Sequence, residues 1–169
     1  MSQNFILVHI YNEDKKMKGL KMDLQKRNLV LQNTYAAVLA EVVTIFTKFG
    51  ILEEVTKAKE VNSSAAAKFQ LNSFGIENEE DIFLKLTEIF NCANWNIETE
   101  ENGFLTEATS CKLCGLTKKM GGNSPCDIYC LNPMKAMIKG LNPDAKFDVK
   151  STLWDSNKCK VNIQFRSEI

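Results

Sequence analysis

The apolar residues change their period near residue 93, and this change constrains the fold more than any other feature of the chain. Before it they recur at three- and four-residue spacing, which marks amphipathic helices. After it they alternate, which marks half-buried strands. Helices followed by hairpins fold as an α+β domain, with N-terminal helices packed on a four-stranded antiparallel sheet made of two hairpins joined by a crossover helix.

The helical half covers 20–92. Over 20–49, Leu31, Tyr35, Val38, Leu39, Val42, Ile45, Phe46 and Phe49 mark one buried face, and Gly50 stops the helix. A second helix over 56–74 turns Val55, Ala58, Val61, Ala65 and Phe69 inward and closes at Gly75. Its run Ala65-Ala66-Ala67 predicts close approach to a neighbouring helix. A third helix opens on Asn78 as N-cap, with Glu79, Glu80 and Asp81 at the positive end of the dipole. Ile82, Phe83, Leu86, Ile89 and Phe90 form its buried face.

The second half covers 93–166. Trp95, Ile97 and Thr99 alternate, Asn102-Gly103 turns the chain, and Phe104, Thr106 and Ala108 return. A second hairpin carries Phe147, Val149, Ser151 and Leu153, turns at Asp155-Ser156-Asn157, and returns through Cys159, Val161, Ile163 and Phe165. Between them lies a helix capped by Ser124 or Asn132, with Pro133 at its first position and Met134, Met137, Ile138 and Leu141 facing inward. With 169 residues, 44 % of them hydrophobic and 25 % charged, the chain is expected to form a single domain, 1–169, with an N-terminal strand or arm over 1–19. Disordered, collagen and coiled-coil classes are excluded.

Lys+Arg and Asp+Glu each number 21, so the net charge is zero and no nucleic-acid partner is expected. The longest apolar window, 35–46, is 12 residues long and carries Glu41. A spanning helix needs about 20, so no membrane partner is expected either. No cationic start precedes the run Phe5 to Val8 and no small-residue cleavage site follows it, which points to a cytoplasmic protein. The expected partners are a small-molecule ligand or substrate and a second copy of the chain, docked through 35–49 or the N-terminal strand.

Four of the six cysteines lie between 111 and 130, as Cys111-Lys112-Leu113-Cys114 and Cys126-Asp127-Ile128-Tyr129-Cys130. In a reducing compartment these are free thiols. Thiolates at such spacings can converge on one tetrahedral ion, with Gly115, Gly121 and Gly122 freeing the loop between them. Cys111, Cys114, Cys126 and Cys130 are therefore candidate metal ligands, for zinc first and an iron–sulfur cluster second. Two other readings stay open: a thiol used in catalysis or redox chemistry, and plain packing, because free cysteine is among the most buried residue types.

Cys126, just after Pro125 at a helix start, is the best-placed nucleophile, activated by the helix N-terminus or by Lys112 or Lys118. Asp127 beside it is the candidate catalytic carboxylate, or a first-turn helix carboxylate. Tyr129, Met134 and Trp154 are candidate ligand contacts, with packing as the alternative for each. Cys159 either fills the core or joins the site. Cys92 reads as structural, and Glu107 faces solvent rather than acting as a base. His9, the one histidine, sits in the N-terminal apolar run and reads as a structural or surface residue.

An ordered set of segments carries a resemblance. It comprises Cys111-x-x-Cys114, Pro125-Cys126-Asp127-Ile128-Tyr129-Cys130, Gly140-Leu141-Asn142-Pro143, Phe147 with Thr152-Leu153, and Cys159-Lys160-Val161-Asn162-Ile163. Over 105–166 it resembles the L-2-amino-thiazoline-4-carboxylic acid hydrolase-like family, and more distantly the 4-vinyl reductase domain superfamily, whose fold is related to vesicle-tethering TRAPP subunits. The first resemblance implies hydrolysis of a C–N bond in a cyclic amidine. The second implies a non-catalytic domain that holds a small hydrophobic ligand, with a cysteine-bound structural metal. In that superfamily the ligand set falls around the last hairpin, where this chain has Asp148, Ser151 and Cys159, so only Cys159 offers a thiolate. The cysteines at 111–130 favour the hydrolase-like branch.

Overall fold

The computed structural model describes residues 22–166. The expected N-terminal strand and His9 lie outside the described residues. The described chain runs through α1 (Leu24–Lys48), α2 (Leu52–Phe74), α3 (Glu79–Phe90), β1 (Ala93–Glu100), β2 (Gly103–Cys111), α4 (Lys112–Met120), a π-helical turn (Asp127–Leu131), α5 (Asn132–Leu141), β3 (Lys146–Ser151) and β4 (Cys159–Gln164). Residues from Gln32 onward form one compact unit, and the part of α1 before Gln32 belongs to a separate N-terminal one. In the opening turn of α1 Asp23 accepts the Lys26 N–H at 2.9 Å.

The fold is α+β. The four strands are antiparallel in the order β1-β2-β4-β3. Register places Ile97 opposite Thr106, Thr106 opposite Val161, and Val161 opposite Val149. The inward face therefore carries Trp95, Phe104, Thr106, Ala108, Cys159, Val161 and Ile163, all buried. Thr106 is tolerated there because its hydroxyl donates to the Val161 carbonyl at 3.2 Å. Phe83 of α3 anchors the helices to this face, edge-on to Trp95 at 5.3 Å and to Phe104 at 5.9 Å. Asn78 caps α3 as expected, accepting the Asp81 N–H at 2.9 Å.

The first hairpin turns one residue earlier than expected. Glu100 pairs with Gly103, so Glu101 and Asn102 form the turn. Gly103 is needed for a different reason: its φ is +143°, and a Cβ there would meet the Ile163 carbonyl oxygen of β4 at 1.9 Å.

The buried faces of α1 and α2 also differ from expectation. α1 buries Ala36, Ala40 and Val43, while Tyr35, Val38, Ile45 and Phe49 are exposed. α2 buries Ser63, Ala67 and Leu71, while Val61 and Phe69 are exposed. In α2 a small residue wins its contact because it lets helix axes approach closely. The expected approach through the alanine run is made by Ala67, which faces Gly140 of α5. A Cβ at Gly140 would lie 3.5 Å from the Ala67 Cβ and 3.2 Å from Leu71 Cδ1. Gly140→Leu is accordingly expected to force α2 and α5 apart and cost about 2–3 kcal/mol, measured as a lower urea midpoint.

α1 is 25 residues long, and an 18-residue window in it has a mean hydropathy of 1.5. By length and composition it could cross a bilayer, so the 12-residue window underestimates the apolar stretch. Leu24, Leu29, Val30 and Leu31 extend that stretch toward the N-terminus.

Candidate functional site

Cys111 ends β2 and serves as the N-cap of α4, with extended backbone (φ −147°, ψ 115°). Its Sγ accepts the Cys114 N–H at 3.4 Å, the interaction a serine or aspartate usually makes at this position. Residues 112–120 are thus a helix rather than the expected loop. The helix turns Leu113, Cys114 and Thr117 inward and ends at Gly121 in the left-handed region (φ +75°). The chain then packs on α1, where the Asn123 N–H donates to the Thr47 hydroxyl at 2.9 Å. This brings Cys126 back beside Cys114, with the two Sγ atoms 3.6 Å apart.

The segment after Cys126 is helical from its start. Ser124 Oγ accepts the Cys126 N–H at 3.3 Å, but neither the π-helical turn nor α5 carries a side-chain cap, so the expected capping by Ser124 is not made. Asn132, the other candidate cap, lies inside a continuous helical path (φ −64°, ψ −44°). Pro133 follows it and lacks an N–H, and its ring would collide with the carbonyl of an α-helical turn. The wider π-helical turn at Asp127–Leu131 accommodates the proline. That turn also rotates Cys130 toward Met134, leaving its Sγ 3.8 Å from the thioether sulfur.

β3 ends at Ser151 instead of continuing through Leu153. The Leu153 carbonyl accepts from Lys118 at 3.1 Å, and the Leu153 side chain lines the same small cavity as the cysteines.

Two cavities adjoin the cluster. One of about 30 Å³ is lined by Cys111, Cys114, Cys126, Cys130 and Cys159, among others. The other, about 150 Å³, lies between α1, α2, α3 and the π-helical turn, and Cys92, Cys111 and Cys130 open onto it. Its walls are mostly apolar: Tyr35, Phe74, Phe90, Tyr129, Met134 and Met137 line it. Lys59, Gln70 and Thr87 interrupt them. Lys59 Nζ lies 5.2 Å above the Tyr129 ring, and Gln70 Oε1 is buried without a hydrogen-bond partner.

The thiols have divergent acidities. The hydrogen bond from the Cys114 thiol, followed by the N–H groups of Cys114 and Leu113, lowers Cys111 to about 6 against the opposing effect of burial. Cys126 is also lowered, first by Cys114 and then by the Ser124 and Thr152 hydroxyls. Cys114, flanked by Cys111 and Cys126, is pushed well up and stays protonated. Cys92 rises to about 11 and Cys159 to about 12, mainly by burial, and burial also raises Cys130.

The four-cysteine metal set fits only in part. Zn–S bonds of about 2.3 Å put tetrahedral sulfurs about 3.8 Å apart, close to the Cys114–Cys126 separation. The tetrahedron does not close, because Cys130 is turned toward Met134. Among the described residues no group of three or more His, Cys, Asp or Glu side chains is placed to hold a metal ion.

Of the other expected site residues, Tyr129 and Met134 line the larger cavity. Asp127 is exposed between buried Cys126 and buried Ile128, and it lines neither cavity. Trp154 lines neither cavity and packs under the Lys118 ammonium, 5.1 Å from its ring centre. The two lysines proposed as thiol activators are engaged elsewhere: Lys112 donates to Asn33 at 3.1 Å and Lys118 to Leu153. The acidity of Cys111 is raised first through Cys114 and then through the N–H groups at the start of α4. Cys159 both fills the core and lines the small cavity. Glu107 pairs with Lys158 and Lys160. Sequence reading missed Tyr35, Lys59, Gln70 and Cys92, which meet only through tertiary packing.

No curated protein and no solved structure matches the chain. The 4-vinyl reductase resemblance is not confirmed. The family model for L-2-amino-thiazoline-4-carboxylic acid hydrolase matches residues 27–162, a span that holds all of this cluster and nearly all of the fold. The chain therefore belongs to the L-2-amino-thiazoline-4-carboxylic acid hydrolase family.

Proposed function

We propose that this protein hydrolyses a C–N bond of a small cyclic amidine in a reducing compartment, with the Cys111 thiolate as the attacking group. The observation that carries this reading is the position of Cys111. Of the three meeting thiols, Cys111, Cys114 and Cys126, it is the one that lines the larger cavity. It is also half-buried rather than buried.

In the proposed reaction the thiolate forms an S–C bond to the amidine carbon, and the C=N electron pair moves onto nitrogen. The C=N bond re-forms and the other C–N bond breaks, its nitrogen taking a proton that the incoming water supplies. Water adds to the same carbon, the S–C bond breaks, and the thiolate is restored. The net change is one water added across the C–N bond. Lys59 would face a substrate carboxylate, since among the described residues it pairs with no acidic side chain. Gln70 Oε1 would accept an amidine N–H.

Incubation with 2-amino-2-thiazoline-4-carboxylate, followed by mass spectrometry, is expected to show a product heavier by one water. No product from fully reduced protein would overturn the reading. The apolar walls of the larger cavity favour a second reading, a non-catalytic domain that holds a small hydrophobic ligand. It predicts a higher Tm with aromatic or aliphatic compounds and no turnover.

A further inference from the structure

Three thiols in series, one of them open to a cavity, form an arrangement that ring opening does not require. Cys111 opens onto the larger cavity and caps α4. Cys114 is buried one helical turn on, and Cys126 lies behind it at 3.6 Å. A disulfide bond is about 2.05 Å long, so the two inner sulfurs are about 1.5 Å from bonding distance. Cys126 borders the π-helical turn, an irregular element whose hydrogen-bond register can shift more readily than that of a regular helix.

We propose that this relay carries out dithiol–disulfide exchange with small organic disulfides, passing oxidation inward from Cys111 to a Cys114–Cys126 disulfide. Cys111 attacks one sulfur of RSSR, forms a mixed disulfide and expels RS⁻. Cys114, giving up its proton to that thiolate, attacks Cys111 Sγ and expels the second RS⁻. Cys126 then attacks Cys114 Sγ, which releases Cys111 as a thiolate while the Cys126 proton passes to the second RS⁻. Two cysteine thiols are oxidised and one RSSR is reduced to two RSH. The cavity of about 150 Å³ limits R to small, mainly apolar groups. This activity needs neither an amidine nor ring opening, so its failure and that of the hydrolase reading are separable.

The test uses fully reduced protein, excess 2-hydroxyethyl disulfide without added thiol, an acid quench and peptide mapping. Wild type is expected to release two equivalents of 2-mercaptoethanol and to show a Cys114–Cys126 cross-link. Cys126→Ser should release the same two equivalents but stop at a Cys111–Cys114 cross-link. Cys114→Ser should release one equivalent and keep the adduct on Cys111. Cys111→Ser keeps an N-cap oxygen and should slow exchange about 100-fold or more, because the attacking thiolate is gone. A persistent Cys111 adduct in wild type, inert thiols, or unchanged exchange in Cys111→Ser would each overturn the proposal.

Discussion

Cys111→Ser is expected to lower kcat/KM for a cyclic amidine by about 10³-fold or more, while Tm changes little. The separation between these effects follows from the dual role of the residue. As an N-cap, sulfur accepts one backbone N–H at 3.4 Å, and a serine hydroxyl accepts the same bond at least as well. As a nucleophile, a serine hydroxyl has no base beside it. Lys112 and Lys118 are held by Asn33 and Leu153, and Glu107 is paired with two lysines. The pH profile gives an independent check. The thiolate is the reactive form and Cys111 is lowered to about 6, so activity should be lost as pH falls through that value and level off above it. Cys114→Ala removes the largest cause of the lowering and should move the inflection upward. If Cys111→Ser stays active while Cys126→Ser does not, the nucleophile is Cys126.

The largest loss of stability is expected from Gly103→Ala, about 4 kcal/mol or more by urea unfolding. Two effects act together. The positive φ disfavours any side chain, and the new Cβ would sit 1.9 Å from the Ile163 carbonyl oxygen, inside the van der Waals radius of backbone that cannot swing away. Relief requires β2 and β4 to separate where Gly103 pairs with Gln164 and the Phe165 N–H donates to Asn102. Gly115→Ala is the control. It lies within α4, nothing stands within 4 Å of its added Cβ, and it should stabilise by about 0.5–1 kcal/mol. A small loss at Gly103 would mean that the β2–β4 register differs from the one described.

The sequence made the α+β class legible because hydrophobic period is a local property. The Asn78 cap, the Gly75 stop and both hairpins could be read from a few neighbouring residues each. Helix faces were harder to read. The larger apolar residues of α1 and α2 outnumber the alanines, yet the buried positions include Ala36, Ala40 and Ala67, and at Ala67 a small residue lets α2 approach Gly140 of α5. At the site, the C-x-x-C spacing identified the thiols but not their roles. Cys126 was the natural nucleophile beside Pro125. The turn from β2 into α4, invisible in a segment carrying Gly115, gave the helix N-terminus to Cys111 instead.

By itself, then, the sequence determined the order of helices and strands and the concentration of thiols at 111–130, because both are written in short-range pattern. Tertiary structure decided which thiol faces a cavity, which one stays protonated, and that Cys130 turns to Met134. Those outcomes depend on hydrogen bonds and desolvation among residues separated in the chain, such as Cys114 and Cys126, and the cavity that Cys111 faces is walled by Tyr35, Lys59 and Gln70 from two remote helices. No local pattern carries that information, because the free energy that sets it belongs to the packed site as a whole.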